Sequence, residues 1–108
     1  MWDMEPRKIL VAVDSDCDAA LRYAVAEARR RGCRVIAAVP RDGRPVFDAD
    51  LTGPIAVLIG GEGQGLSSAI TGAADDRITI PMQPPVESLN AAVTAALLLY
   101  EARRQRGI

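Results

Sequence analysis

The 108-residue sequence contains no histidine. That absence excludes Ser-His-Asp and Cys-His catalysis, histidine-ligated zinc and any histidine-based pH switch. Cysteine is scarce as well: Cys17 and Cys33 lie sixteen positions apart, and no Cys-x-x-Cys metal or redox pair can be drawn. The plain reading is two reduced, partly buried thiols in a cytosolic protein. No run of about eighteen uncharged apolar residues occurs, and the N-terminus lacks a basic-then-apolar signal pattern. The chain is therefore expected to be cytoplasmic, with no membrane partner. Lysine is nearly missing too, since Lys8 is the one lysine among thirteen basic residues. Arginine suits bidentate contacts to phosphate or carboxylate, although a GC-rich genome produces the same bias.

What remains is an ordinary globular composition, 49% apolar and 25% charged with a net charge of -1, in a length suited to one domain. Residues 9 to 13 (Ile-Leu-Val-Ala-Val) read as a strand buried on both faces. Asp14, Ser15, Asp16 and Asp18 offer caps and first-turn acids to a helix. Ala20, Leu21, Ala24, Val25 and Ala28 stripe that helix, Arg29 to Arg31 suit its C-terminal dipole, and Gly32 ends it. Further strands are predicted at 34–39, 55–59 and 77–80, with a turn-rich loop marked by Pro40, Asp42, Gly43 and Pro45 and a short helix from about Leu66 to Ala73. The last helix is predicted to open near Ser88 and run to about Arg106. Leu89, Ala92, Val93, Ala96, Leu97 and Tyr100 share one of its faces, while Ala91, Ala95, Leu98 and Leu99 make most of the rest apolar. A helix apolar all round is covered on more than one side, which predicts a homodimer through residues 88–106.

Strands alternating with helices give a parallel α/β sheet, whose ligands sit beyond the strands' carboxyl ends. Two loops meet that description: Gly60-Gly-Glu-Gly-Gln-Gly65 and Ile80–Asn90. The first is not a Walker A loop, because Leu66 stands where the lysine belongs, and it carries no Gly-x-Gly-x-x-Gly register. Glu62 is conspicuous as a lone carboxylate among glycines, where backbone can approach a ligand closely.

Lys8 to Asp14 followed by a helix is similar to the start of universal stress proteins, but Gly60, Gly63 and Gly72 miss that family's ATP-binding spacing by one. A far longer resemblance covers residues 34–106. Val57-Leu-Ile-Gly-Gly-Glu-Gly-Gln-Gly-Leu66 resembles the second signature of SpoU-type RNA ribose methyltransferases of the knotted SPOUT superfamily. Ile80-Pro-Met-Gln-Pro-Pro-Val-Glu-Ser-Leu-Asn90, continuing to Leu99-Tyr-Glu101, resembles their third, in the family's order and spacing. The resemblance implies a C-terminal trefoil knot and S-adenosylmethionine as methyl donor, transferring to a ribose 2'-hydroxyl of tRNA or rRNA. It places cofactor contacts at Val39, Pro40, Gly60, Gly65, Ile80, Met82 and Leu89, and reaction-centre residues at Glu62, Ser88 and Asn90. Ser88 and Asn90 also have structural readings, as helix N-cap and first-turn residue. No metal is implied.

One element of the family is not found. Its Asn-x-Gly-x-x-x-Arg signature, whose arginine is held to assist the 2'-hydroxyl, has no counterpart in this sequence. The chain is thus expected to be the cofactor-binding C-terminal portion of a methyltransferase domain, with residues 1–8 a flexible N-terminus. Its activity would need an arginine-bearing segment from elsewhere; the alternative is a non-catalytic cofactor-binding or dimerisation module. Arg41 and Arg44, with Arg103, Arg104 and Arg106, are the candidate RNA contacts, and DNA is not expected as a partner. The net charge of -1 predicts weak unaided RNA binding.

Overall fold

The computed structural model describes residues 9–14, 18–60, 65–82 and 90–107. In chain order the elements are β1 (Ile9–Asp14), α1 (Asp18–Arg30), β2 (Arg34–Ala38), β3 (Arg44–Pro45), β4 (Ile55–Gly60), α2 (Ser68–Ala73), β5 (Asp76–Thr79) and α3 (Ala91–Arg106). All strand pairs are parallel, in the order β1-β4-β2-β5-β3. The expected parallel α/β sheet is thus present.

Alternation along β4 divides the interior into two layers. Ile55, Val57 and Ile59 point to one face, where they join Ile36, Ile78, Val46, Leu51, Leu98 and Ala102. Ala56 and Leu58 point to the other, against Leu21, Ala28, Cys33, Val35 and Ile70. So α3 covers one side of the sheet, and α1 with α2 covers the other. Every residue of β4 from Ile55 to Ile59 is buried, as a strand flanked by helices on both faces requires.

Several sequence expectations are refined. The loop after β2 contains β3, which two residues including a proline do not announce, and a single 3-10 turn at Val46–Asp48. That turn drops Val46 and Ala49 into the core. In α1, Leu21 and Ala28 are buried as expected, but Ala20 faces solvent. The α3 face that meets the sheet is Ala91, Ala95, Leu98 and Ala102; Val93, Leu97 and Tyr100 are exposed instead, Tyr100 by 74%. Arg29–Arg31 serve the helix end as predicted: Arg30 and Arg31 pair with Glu27, and Gly32 closes α1 with φ +75°. Cys33 is a buried free thiol, and Cys17 lies outside the described residues.

Polar side chains fasten the connections. The Gln105 amide accepts from Leu51 N at 2.8 Å and donates to Ala49 O at 2.8 Å, so α3 holds the return path from β3 to β4. Arg106 donates to Leu51 O and Gly53 O, and Arg34 donates to Asp50 O and Thr52 O. On the opposite face Asp75 clamps the entry to β5. Its carboxylate accepts from Val35 N at 2.7 Å and from Arg29, while its own amide donates to Val35 O. The Val35 amide, then Arg29, holds the Asp75 carboxyl below its usual range. Bonds from Arg104 and Gln105 bring Glu101 down to about 2.

Both carboxylates have lowered folded-state pKa values, so their stabilisation is present above the unfolded values and is lost as pH falls through the folded ones. The melting temperature should therefore decline as pH drops from about 4.5 towards 2. Asp75→Asn should flatten part of that decline in a thermal-melt series. Asp75→Ala, which removes the acceptor for the Val35 amide, should cost about 1–2 kcal/mol at neutral pH.

Candidate functional site

The strand register assembles one edge of the sheet into a candidate site. Ala38 of β2 lies opposite Ile59 of β4 on one side and Ile78 of β5 on the other. The next residues, Gly60, Val39 and Thr79, therefore stand in one row at the carboxyl ends of three adjacent strands. Asp14 pairs with Gly60 and Pro45 with Thr79, extending the row across all five strands. Two of the expected cofactor positions, Val39 and Gly60, fall in this row, and a third, Ile80, follows its β5 member Thr79. Val39, Ile80 and Met82 are half-buried, and Pro40 is exposed.

Gly60 needs its lack of a side chain. A Cβ there would run into the backbone of Gly65 and the Leu66 amide, so the loop after β4 folds back onto its own start. Gly65 sits at φ +69°, where a side chain would be strained. Beyond it Ser67 caps α2, accepting from Ile70 N at 3.2 Å. Glu62, Ser88 and Leu89 lie outside the described residues.

Asn90 is the N-cap of α3, not a residue of its first turn. Its backbone is extended, and its side-chain oxygen accepts from Val93 N at 2.9 Å. The described helix therefore begins at Ala91, three residues after the expected opening at Ser88.

The basic candidates separate. Arg41 and Arg44 flank the loop beside the row and are exposed, with Arg44 3.5 Å from Asp76. Arg104 lies fork-to-fork on Glu101 at 2.8 Å, and Arg106 holds the 51–53 segment, so neither is set up for RNA as expected. Arg103 is exposed in the last turn of α3. Gly43 and Thr79 were missed: sequence marks one as a turn glycine and the other as a strand residue, yet Gly43 N donates to Thr79 Oγ1 at 2.9 Å across the row. The spacing between them carries no signal of that contact.

A parallel α/β sheet with glycine-lined loops gathered at its carboxyl edge is the architecture of a nucleotide- or cofactor-binding domain. Comparison makes the assignment specific: residues 16–100 match the SpoU rRNA Methylase family, and the chain belongs to it. It is 40% identical over 99 residues to a tRNA (guanosine(18)-2'-O)-methyltransferase of Thermus thermophilus, covering 91% of this chain and 49% of that one. It is 38% identical over 82 residues to the 23S rRNA (guanosine-2'-O-)-methyltransferase RlmB of Ralstonia nicotianae, covering 76% and 33%. Among solved structures it resembles the SpoU methyltransferase AviRb of Streptomyces viridochromogenes in complex with AdoMet, with TM-score 0.69, 37% identity, and 83% and 35% of the two chains covered. The chain thus spans half or less of the length of these curated relatives.

The cap makes a direct prediction. Asn90→Ala should destabilise the protein by about 1 kcal/mol in chemical denaturation, whereas Asn90→Asp should keep the cap and most of the stability.

Proposed function

We propose that this chain is the cofactor-binding portion of an RNA ribose 2'-O-methyltransferase that uses S-adenosylmethionine. The observation that carries the reading is the row at the sheet's carboxyl edge. There Gly60 and Val39, positions implied by the family resemblance, stand level at the ends of β4 and β2, and Ile80, another such position, follows Thr79, the row's residue on β5. The residues fit the group: half-buried Val39, Ile80 and Met82 offer apolar surface to an adenine, and the bare backbone at Gly60 lets a ligand approach main-chain groups. When bound, S-adenosylmethionine supplies a methyl group on an electrophilic sulfonium.

The chain's own part is to orient and to exclude water. The family resemblance assigns Gly65 and Leu89 to cofactor contact as well. The same resemblance assigns Glu62, Ser88 and Asn90 to the reaction. Asn90 Oδ1 is engaged by its cap, so its amide Nδ2 is the group that turns to substrate. Removing the hydroxyl proton needs the arginine of the Asn-x-Gly-x-x-x-Arg element, which this sequence does not contain, so transfer requires that group from a further segment or chain. RNA, from tRNA or rRNA, is met weakly through Arg41 and Arg44, in a cytoplasmic setting. No helix among the described residues is long and apolar enough to cross a membrane.

Two further features support the family's architecture. Residues 39–43 join β2 to β3 across β5, a crossing loop of the kind that the family's trefoil knot would need. The exposed Val93, Leu97 and Tyr100 of α3 favour a homodimer through that helix.

Calorimetric titration of the purified chain with S-adenosylmethionine should show saturable binding, abolished by Leu89→Arg. With an arginine-bearing segment and bulk RNA added, labelled methyl should transfer, and Glu62→Ala should reduce it at least tenfold, as loss of a group that orients the reactants does. A cooperatively folded chain that binds no S-adenosylmethionine would overturn the reading in favour of a structural module. In sedimentation, Leu97→Glu should convert dimer to monomer; an unchanged mass would remove α3 as the interface.

A further inference from the structure

The loop between β2 and β3 is pinned to β5 at both ends. Val39 N donates to Ile78 O at 2.9 Å, and Gly43 N donates to the Thr79 hydroxyl oxygen at 2.9 Å. Between the pins lie Pro40, Arg41 and Asp42. Asp42 has φ +67° and is the one non-glycine among the described residues in the left-handed region. That backbone costs free energy for a side-chain-bearing residue and persists where its surroundings determine it.

Gly43 sits directly on the strand. A Cβ there would stand 2.6 Å from Thr79 Oγ1, 2.8 Å from the Ile78 carbonyl carbon and 3.0 Å from Val39 Cγ2. Its backbone is outside the left-handed region, so glycine is required for space alone. A side chain at position 43 would thus collide with the Thr79 hydroxyl and the β5 backbone and crowd the side chain of Val39. Val39 belongs to the row on which the proposed adenosyl site is built.

We infer that Gly43 and Thr79 are positioning residues for that site: their contact seats the 39–43 loop on β5 and fixes where Val39 and Pro40 meet the adenosyl group. The inference rests on the proposed cofactor reading. Neither residue is assigned a contact with the ligand; they act through Val39 and the loop that carries it. A merely structural pin would affect stability and leave affinity alone, which separates the two roles.

The test uses the full chain with Thr79→Val, which keeps the side chain's shape and removes the acceptor, and Thr79→Ser, which restores a hydroxyl. Two readouts are taken: exchange protection of the Gly43 amide, and the Kd for S-adenosylmethionine by calorimetry. Thr79→Val should lose Gly43 protection and weaken binding about five- to tenfold, and Thr79→Ser should return Kd to within about twofold of wild type. Gly43→Ala, which pushes the loop off Ile78 by volume and leaves Thr79 intact, should give the same loss and serves if Thr79→Val folds poorly. Protection lost with Kd unchanged would overturn the positioning role, as would a Gly43 amide that exchanges freely in the wild type. A wild type with Gly43 protected and no binding would overturn the cofactor reading itself and the positioning role with it.

Discussion

The fold turns on the place of β5 between β2 and β3, two strands joined by only five residues. Neighbouring strands stand about 4.8 Å apart, so β2 and β3 are separated by about 10 Å. Five residues can reach at most about 17 Å. The loop can therefore arch once over the end of β5 and has little length for anything else. That constraint explains its details: one amide held by the β5 backbone, another by a β5 side chain, a left-handed aspartate between them and a glycine pressed onto the strand. It also explains why the carboxyl edge of the sheet is crowded. The loop from β2, the glycine turn after β4 and the exit from β5 all leave the sheet at the same level.

Such an interleaved sheet gains little from local contacts, since each parallel pair joins distant segments. Its stability comes from two apolar layers and from side chains that hold the long connections. Leu98 and Ala102 close one layer, and Leu21, Ala28 and Ile70 close the other. Where hydrophobic contact stops, hydrogen bonds to carbonyl oxygens and amides continue. Gln105 and Arg106 tie the end of α3 to residues 49–53, and Asp75 ties α2 and β5 to the start of β2. The last helix is thereby fixed at its carboxyl end by polar contacts and at its start by the Asn90 cap. Its outer apolar residues Val93, Leu97, Leu99 and Tyr100 stay exposed.

Much of this was legible in the sequence because apolar runs and glycines are local signals. The strands at 9–14, 34–38 and 55–60 are built on the apolar runs 9–13, 35–38 and 55–59, and Gly32 and Gly107 end helices in the left-handed conformation expected of them. The Gly60 turn and the Ile80 exit carry motif residues, and the register sets both at the same end of the sheet with β2 between them. What sequence did not show has a common physical cause, since each missing feature depends on a partner far along the chain. β3 is a strand only because β5 lies beside it. The outward face of α3 cannot be told from its inward face when both are apolar, and the sheet makes that choice through Leu98. The Gly43–Thr79 bond joins residues thirty-six apart with nothing in either to announce the other.

The arginines carry the argument about RNA further than net charge does. Arg29, Arg30, Arg31, Arg34, Arg104 and Arg106 are engaged by carboxylates or backbone oxygens within the chain. Turning any of them to phosphate would break bonds that organise a helix end or a connection, and that loss would be subtracted from the gain in binding. Half of the chain's twelve arginines are thus committed to the fold itself. Beside the row stand Arg41, borne on the loop that Gly43 and Thr79 hold down, and Arg44 at the start of β3, 3.5 Å from Asp76. In this reading one short segment carries an adenosyl contact at Val39 and RNA contacts two and five residues later. Seating the loop on β5 would then place cofactor and RNA relative to each other, and a loop displaced from β5 would lose both together.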